Sequence, residues 1–356
     1  MTDRIADVQA HETNSTRAVI KWLVVATMVA LYLIIIPIVF ADRLYVLRVL
    51  ATASVLSLIS LGVWLTFSIG RINLGQGGFA LIGGYTTAIL MTRWGTSYWL
   101  ALPASGLLAA LFGILLGLGI LRLRGVYFAM ITLSLTEAVR LAFLSGGSFT
   151  GGAPGIPVIP LPGPLSVLGL SIVPDFTRVN GHLAFYRLAA VLLILGFGVV
   201  WRISTSRVGW IFRSLQQNED LSTSIGINIT KYRVLAFGIC CFYGGIGGSY
   251  FAAAQQSIYP AVFGVSDSVF FALYCFLGGL AYVVGPIVGA FVLFICFELL
   301  SANVAQEYQQ FAYAAIMIAI MLWLPDGILS LRAPRWLVGR LRAGATAVDA
   351  AQRTTR

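Results

Sequence analysis

Residues 45–69 read YVLRVLATASVLSLISLGVWLTFSI, a run of mostly apolar and small residues with one charge, Arg48. An α-helix needs roughly 20 such residues to cross the hydrocarbon core of a bilayer. Similar runs recur along the chain, in which 59% of residues are hydrophobic and 10% are charged. Globular domains carry about 25% charged residues. The sequence therefore predicts a polytopic integral membrane protein of the all-α class.

The apolar runs predict about ten membrane spans, within a range of 8 to 11, in a single domain covering residues 1–356. They lie near residues 18–41, 45–69, 74–92, 98–121, 127–144, 183–201, 234–255, 266–282, 285–300 and 308–324. Four segments remain outside the membrane: a polar N-terminal tail (1–17), an outer loop (145–181), an inner loop (202–233) and a basic tail (331–356). The first run exceeds the 7 to 15 residues of a signal-peptide core, which favours an uncleaved first helix over a secretory signal.

The basic residues predict the orientation. With a cytoplasmic N-terminus, 17 of the 23 Lys and Arg residues, among them Arg71, Arg124 and Arg233, fall on the cytoplasmic side. Because Lys and Arg concentrate in cytoplasmic loops, both termini are predicted to be cytoplasmic. The net charge of +10 is spread over short loops, which argues against nucleic-acid binding. The segment Leu331–Gly344 mixes arginines with Trp336 and leucines and predicts an amphipathic segment on anionic lipid headgroups.

Motifs for catalysis and for nucleotide or metal binding are missing from the sequence. A phosphate-binding loop needs Gly-Lys-Ser/Thr, but Lys21 precedes Trp22 and Lys231 precedes Tyr232. The four cysteines lie in apolar runs, and neither histidine has ligand-spaced neighbours. We expect no cofactor, no metal and no enzymatic activity, so if ATP drives this protein, another chain binds it.

A second class, the ion-coupled secondary transporter, stays open at this point. Such proteins place ionisable residues near the middle of the bilayer. Glu137 and Arg140 share a helix face but lie close to the predicted outer end, and Glu298 also lies near an outer boundary. A local ion pair is the alternative explanation for Glu137 and Arg140.

Polar residues inside the spans are candidates for the translocation pathway. The glycine-rich stretch GQGGFALIGGY, residues 75–85, begins a span with an amide at a place where irregular backbone can stay hydrated. The candidates are Asn73, Gln76, Gly77, Thr132, Ser134 and Glu137. Hydrogen bonding between helices is the alternative for the polar side chains, and close helix packing is the alternative for the glycines.

The two long loops differ in organisation. GGSFTGGAPGIPVIPLPGP in the outer loop favours a chain of turns, which either covers a pathway or serves as a connector. In the inner loop, apolar residues at helical spacing after Ser206 predict an amphipathic helix. Asn218, followed by two acids, predicts the start of a second helix near Glu219–Ile225, and Gly226 predicts its end. Such a short helix is suited to docking into a partner.

Several blocks of the chain resemble the LivH/LivM family, the permease subunits of ATP-binding-cassette importers for branched-chain amino acids, and most of all its LivM type. They are INLGQGGFALIGGYTTAIL (72–90), LRGVYFAMITLSLTEAVRL (123–141), TGGAPGIPVIP (150–160), SRVGWIFRSLQQNEDLSTSIGINITKYRVLAF (206–237), LGGLAYVVGPIVGA (277–290) and LPDGIL (324–329). Their order and spacing cover most of the chain from about Ile72 to Leu329. At Ser222, Thr223 and Ser224, relatives often carry alanines and an arginine.

The resemblance implies a bacterial inner-membrane importer. Its expected partners are a second homologous permease, two cytoplasmic ATP-binding subunits and a periplasmic substrate-binding protein. The expected substrates are branched-chain amino acids or a related small polar solute such as urea or a short amide. By the family's pattern, the helix from Glu219 to Gly226 would grip an ATPase. The expected coupling residues are Arg213, Asn218, Glu219, Asp220, Ser224 and Gly226.

Overall fold

A computed structural model describes residues 32–33, 36–40, 43–163, 165–167, 170–173, 176, 181–303 and 327–332, with scattered positions between 308 and 322. Its helices are α1 (Ile36–Val39), α2 (Leu44–Phe67), α3 (Gln76–Arg93), α4 (Tyr98–Ile120), α5 (Val126–Leu144), α6 (Gly147–Thr150), α7 (Gly181–Thr205), α8 (Arg207–Gln217), α9 (Glu219–Ser224), α10 (Ile229–Gln255), α11 (Val265–Gly278) and α12 (Gly285–Asn303). A 3-10 helix covers Ile328–Arg332. The all-α, polytopic architecture predicted from the sequence is confirmed.

Six of the described helical segments are long and apolar enough to cross a membrane: Leu44–Phe67, Tyr98–Ile120, Val126–Leu144, Gly181–Thr205, Ile229–Gln255 and Pro260–Gly278. The helices α3 and α12 occupy two further predicted spans, 74–92 and 285–300. Most of the first and tenth predicted spans, 18–41 and 308–324, lies outside the described residues, as does most of the basic tail.

Helix ends differ from the ends of the predicted spans and loops at three points. The span predicted to run to residue 282 ends at Gly278, because Gly279 adopts a φ of 104° and ends the helix. Helix α7 continues to Thr205, four residues into the segment 202–233 predicted as the inner loop. At its other end α10 already begins at Ile229, where the Asn228 side chain accepts a hydrogen bond from the Lys231 N–H at 3.1 Å.

The centre of the bundle is formed by α2, α3, α4 and α10. Helix α10 packs against the other three, while α7, α11 and α12 pack on α2. Glycines allow the closest contacts, since a Cβ added at Gly83 or Gly248 would overlap the backbone of the facing helix. Serines inside α2 bond to their own helix, as Ser57 does by donating to the Ala53 carbonyl at 2.7 Å. The apolar helix therefore buries polar residues without leaving their hydroxyls unpaired.

The outer loop contains the short α6 and most of the described β structure. Strand β1 (Ile156–Pro157) pairs antiparallel with β4 (Ser257–Ile258), which follows α10. Strands β2 (Leu165–Val167) and β3 (Leu170–Val173) form a hairpin. The predicted chain of turns is thus tied at one point to the end of a central helix.

Candidate functional site

Helix α9 forms where the sequence predicts a short second helix. The Asn218 side chain caps it by accepting a hydrogen bond from the Leu221 N–H at 3.0 Å. Glu219 and Asp220 occupy its first turn, where the helix dipole favours negative charge. The helix ends at Ser224, and Gly226 turns the chain with a φ of 84°.

Glu219 lies in a cluster of three arginines. Its carboxylate is 3.0 Å from the Arg71 guanidinium and 3.0 Å from that of Arg124, and it pairs with Arg233 as well. Arg71 lies between α2 and α3, Arg124 lies between α4 and α5, and Arg233 belongs to α10. We call these four residues the arginine cluster. Through it, one carboxylate joins α9 to three parts of the membrane domain.

The arginine cluster is largely withdrawn from solvent. The side chains of Arg71, Arg233 and Glu219 are 4%, 9% and 13% exposed, whereas that of Arg124 is 62% exposed. Burial by itself raises the pKa of the Glu219 carboxyl. The hydrogen bond from Arg233 and the nearby arginine charges outweigh burial, so this pKa is lowered overall. Glu219 therefore stays ionised and compensates part of the buried positive charge.

Burial lowers the pKa of the Arg71 guanidinium, and the neighbouring charge of Arg233 lowers it further. The two buried arginines disfavour each other's charge, and the Glu219 carboxylate between them relieves that repulsion. Loss of this carboxylate would leave two buried cations without their compensating charge.

Glu219 contacts the membrane domain of its own chain, and the coupling role expected for the helix from Glu219 to Gly226 stays a prediction. Its carboxylate points toward the membrane domain, and Ser222, which is 2% exposed, is held by a hydrogen bond of 2.6 Å between its Oγ and that of Ser214. The exposed side chains of α9 and of the residue that follows it include those of Asp220, Leu221 and Ile225. Asp220 is 90% exposed, and the two apolar residues are 64% and 70% exposed. We call these three residues the free face of α9.

Two other predicted coupling residues act locally. Arg213 donates to the Ser204 carbonyl at 2.6 Å and lies over the Trp210 ring, 4.7 Å from its centroid. It thereby connects α8 with the end of α7. Ser224 donates to the Leu221 carbonyl within α9 at 2.8 Å.

The predicted pathway residues at the start of α3 form a closed polar network. Asn73, Gln76 and Thr132 are 0% exposed. Gln76 donates to the Cys240 carbonyl at 2.9 Å, and Thr132 accepts from the Leu74 N–H at 3.1 Å. These side chains do not line an open cavity in this structure. They form hydrogen bonds between helices instead.

Gly77 belongs to the same region, since its N–H donates to the Ser268 hydroxyl at 2.9 Å. A Cβ at Gly77 would crowd that hydroxyl, so the side-chain position is closed by α11. The role of these residues in translocation stays a prediction.

The remaining two pathway candidates lie on the surface of α5. Ser134 is exposed, and Glu137 forms a two-pronged ion pair with Arg140, with distances of 2.9 and 2.6 Å. The local ion pair considered from the sequence is therefore present. The Glu137 side chain is nevertheless 40% exposed in this single chain.

Sequence reasoning counted Arg71, Arg124 and Arg233 only as orientation signals and missed their shared partner. One signal was available: Glu219 and Asp220 are the only acids among residues 202–233, which hold five basic residues. Whether Glu219 or Asp220 faces the arginines depends on how α9 lies against the membrane domain. Among the residues that the structure describes, no group of three or more His, Cys, Asp or Glu side chains is placed to hold a metal.

Comparison with known proteins places the chain in a family. The family described as "Branched-chain amino acid transport system / permease component" matches residues 45–321. The chain belongs to this permease family. The match runs from α2 past α12 and includes α9 with all four members of the arginine cluster.

Individual members of the permease family agree with this assignment. The chain is 32% identical to the high-affinity branched-chain amino acid transport system permease protein LivM of Salmonella typhimurium, over 75% of this chain and 65% of that protein. It is 25% identical to LivH of the same organism, over 78% of this chain and 91% of that protein.

A more distant relative is the ribose import permease protein RbsC of Haemophilus influenzae, 22% identical over 78% of this chain and 84% of that protein. The chain spans slightly less than two thirds of the LivM proteins that it matches. No solved structure matches it.

Proposed function

We propose that this chain is the transmembrane permease subunit of an ATP-driven importer of branched-chain amino acids, or of a related small polar solute such as urea or a short amide. Force generated by a separate ATPase would enter through α9 and tilt the membrane helices, so that the pathway opens alternately to the two sides. The chain itself would bind no nucleotide and catalyse no reaction.

The division of α9 into two faces is the observation that carries this proposal. One face is fixed to the membrane domain by Glu219, and on the free face no element among the described residues covers Leu221 and Ile225. Exposed apolar residues at i and i+4 suit the groove of a partner protein. A helix held firmly on one side and available on the other can pass a displacement from a partner to the bundle.

The exposed surface of α5 is evidence for a second partner protein. Only Phe128, Thr132 and Thr136 are buried along this helix, and the Glu137–Arg140 pair remains partly exposed. Charged side chains on a transmembrane helix seldom face lipid and mark protein contacts or hydrated pathways. We infer that a second, homologous permease covers this face, with Ser134 and Glu137 beside the pathway.

The remaining assignments follow from the same reading. The chain would reside in the bacterial inner membrane with both termini, α8 and α9 in the cytoplasm, where two ATP-binding subunits dock. A periplasmic substrate-binding protein would deliver the solute to the opposite side. The names of the relatives, which include transporters of branched-chain amino acids and of ribose, support import of a small polar solute.

Co-purification tests the role of α9. We would express the chain with a tag together with its candidate ATPase and compare wild type with the double variant Leu221→Asp, Ile225→Asp and with a deletion of Glu219–Ile225. Because charge on the free face opposes burial in a partner, we expect both changes to abolish ATPase recovery while the double variant leaves the chain intact.

Thr223→Asp is the control, since it adds one negative charge, against two in the double variant, to the same helix about 200° around the axis from Leu221. Recovery of the ATPase with Leu221→Asp, Ile225→Asp at the level of this control would contradict the proposal. So would proton- or sodium-driven solute uptake by this chain alone in liposomes, which would identify a secondary transporter.

A further inference from the structure

A long apolar groove runs along the surface of the bundle between α4 and α7, with α10 as its floor. It encloses about 700 Å³. Its walls include Ile114 of α4 and Leu195 and Val199 of α7, and its floor includes Gly238 and Phe242 of α10. Leu195 and Val199 are 63% and 51% exposed, so the groove is open to whatever surrounds the bundle.

The interior of this groove offers almost no hydrogen bond. Its lining consists of apolar side chains and glycines, with two exceptions: Lys231 at one end and Tyr243. The Tyr243 hydroxyl is already used, because it donates to the Gly196 carbonyl at 2.7 Å. A polar solute would lose its hydration here without compensation, whereas a hydrocarbon chain would lose nothing.

Positively charged residues lie at and beyond the end of the groove on the α9 side. Lys231 lies in the lining itself, Arg202 follows Val199 by one helical turn, and Arg122 lies just beyond the end of α4. All three residues are exposed. Among the described residues, none of the three takes part in an ion pair, in contrast to the arginine cluster nearby.

The groove is long enough to span one leaflet of a bilayer and to extend beyond its centre. Its lining extends along α10 from Lys231 to Ile246, about 22 Å at roughly 1.5 Å per residue. One leaflet contributes about half of the roughly 30 Å hydrocarbon core. A chain anchored at Lys231 would therefore lie in the groove from the headgroup region to past the bilayer centre.

We propose that this groove binds an anionic phospholipid, with one acyl chain against α10 and the phosphate among Lys231, Arg202 and Arg122. Charge complementarity selects this occupant, since cations beside an apolar groove at headgroup depth match a negatively charged headgroup. The site uses no residue of α9 or of the α5 surface. It therefore stands or falls independently of the transport proposal.

Native mass spectrometry of the full chain tests the headgroup contacts. The protein would be titrated with phosphatidylglycerol and with phosphatidylcholine of identical acyl chains. We expect phosphatidylglycerol to bind more tightly, and its affinity to fall roughly fivefold for each cation removed in Lys231→Gln and Arg202→Gln. Arg207→Gln, on the same face but in α8, is the control and should leave the affinity unchanged.

A second pair of variants tests the groove. Leu195 and Leu107 are each 63% exposed, but only Leu195 lines the groove. Leu195→Trp should fill it and abolish the preference for phosphatidylglycerol, while Leu107→Trp should retain it. Equal binding of the two lipids by the wild type, or equal behaviour of the two Trp variants, would overturn the proposal. Cross-linking of Leu195→Cys to a second permease in the assembled complex would also overturn it, since a protein would then cover the groove.

Discussion

At the scale of single residues, Glu219 has the most constrained environment in the candidate site. A carboxylate that is 13% exposed compensates two buried guanidinium groups from different parts of the chain. Removing one partner of a buried ionic group is costly because it leaves the remaining charges desolvated and unpaired. Glu219 is thus best understood as a positioning residue for α9.

Glu219→Gln should destabilise the protein by about 3 kcal/mol, because the amide keeps the shape of the side chain but not its charge. Asp220→Asn is the matched control, since the Asp220 side chain is 90% exposed and its change should cost less than about 0.5 kcal/mol. Thermal unfolding of the purified chain in detergent measures both.

The Glu219→Gln variant should also weaken the link between ATP hydrolysis and uptake, since α9 would move without the helices. An unfolding temperature for Glu219→Gln equal to that of Asp220→Asn would show that the arginine cluster does not stabilise α9. In that case the cluster could not serve as the connection that we describe.

At the scale of secondary-structure elements, the crossing of α3 and α10 depends on missing side chains. A Cβ at Gly248 would overlap the Ala80 carbonyl, and a Cβ at Gly83 would overlap the backbone of Gly245. Because backbone atoms cannot move aside as a side-chain tip can, any larger residue here has to separate the two helices.

Gly248→Ala should therefore destabilise the bundle by about 1–3 kcal/mol. Gly119→Ala in α4 is the control, because a Cβ at that position meets no atom within 4 Å. Alanine there should be neutral or slightly stabilising, as expected for a helix interior. Unfolding of the two variants in parallel, by heat or by SDS titration, compares them. Equal losses would mean that the close approach of α3 and α10 contributes little to stability.

The sequence predicted these elements well where the signal is local. Apolar runs gave the positions of α2, α4, α5 and α7, and the Asn218 cap gave the start of α9. It did not predict the end of α11 at Gly278, since LGGLAYVVG remains apolar through the turn.

The arginine cluster and the β1–β4 pair escaped prediction for a different reason. The β1–β4 pair and the contacts of Glu219 with Arg71 and Arg124 join residues about 100 or more positions apart, and periodicity within a helix carries no information on such pairs. The polar network at Asn73 and Gln76 could not be predicted because amide and hydroxyl groups in apolar runs suit either a hydrated pathway or contacts between helices. In this structure α10 packs against α3, so that these groups form contacts between helices.

At the scale of the whole molecule, the two faces of the bundle are built differently. One face carries α8, α9 and the arginine cluster, and the opposite face carries β1, β4 and the exposed Val158. The excess of basic residues on the first face predicts that it is cytoplasmic.

Cysteine labelling tests this orientation. In a Cys296→Ser background, in which the other native cysteines are buried, Asp220→Cys should react with a membrane-impermeant maleimide in inside-out vesicles but not in intact cells. Val158 is 82% exposed on the opposite face, and Val158→Cys should show the reverse pattern. Labelling of Asp220→Cys in intact cells would exclude a cytoplasmic ATPase as its partner.

Helix α10 joins these two faces without interruption. It contains 27 residues and no proline, starts beside the arginine cluster and leads directly into β4, where the outer loop is attached. A strut of about 40 Å can tilt or slide but cannot shorten. The end of α10 beside the arginine cluster and the end beside β4 should therefore move together within this chain. Fixing either end should also prevent movement at the other.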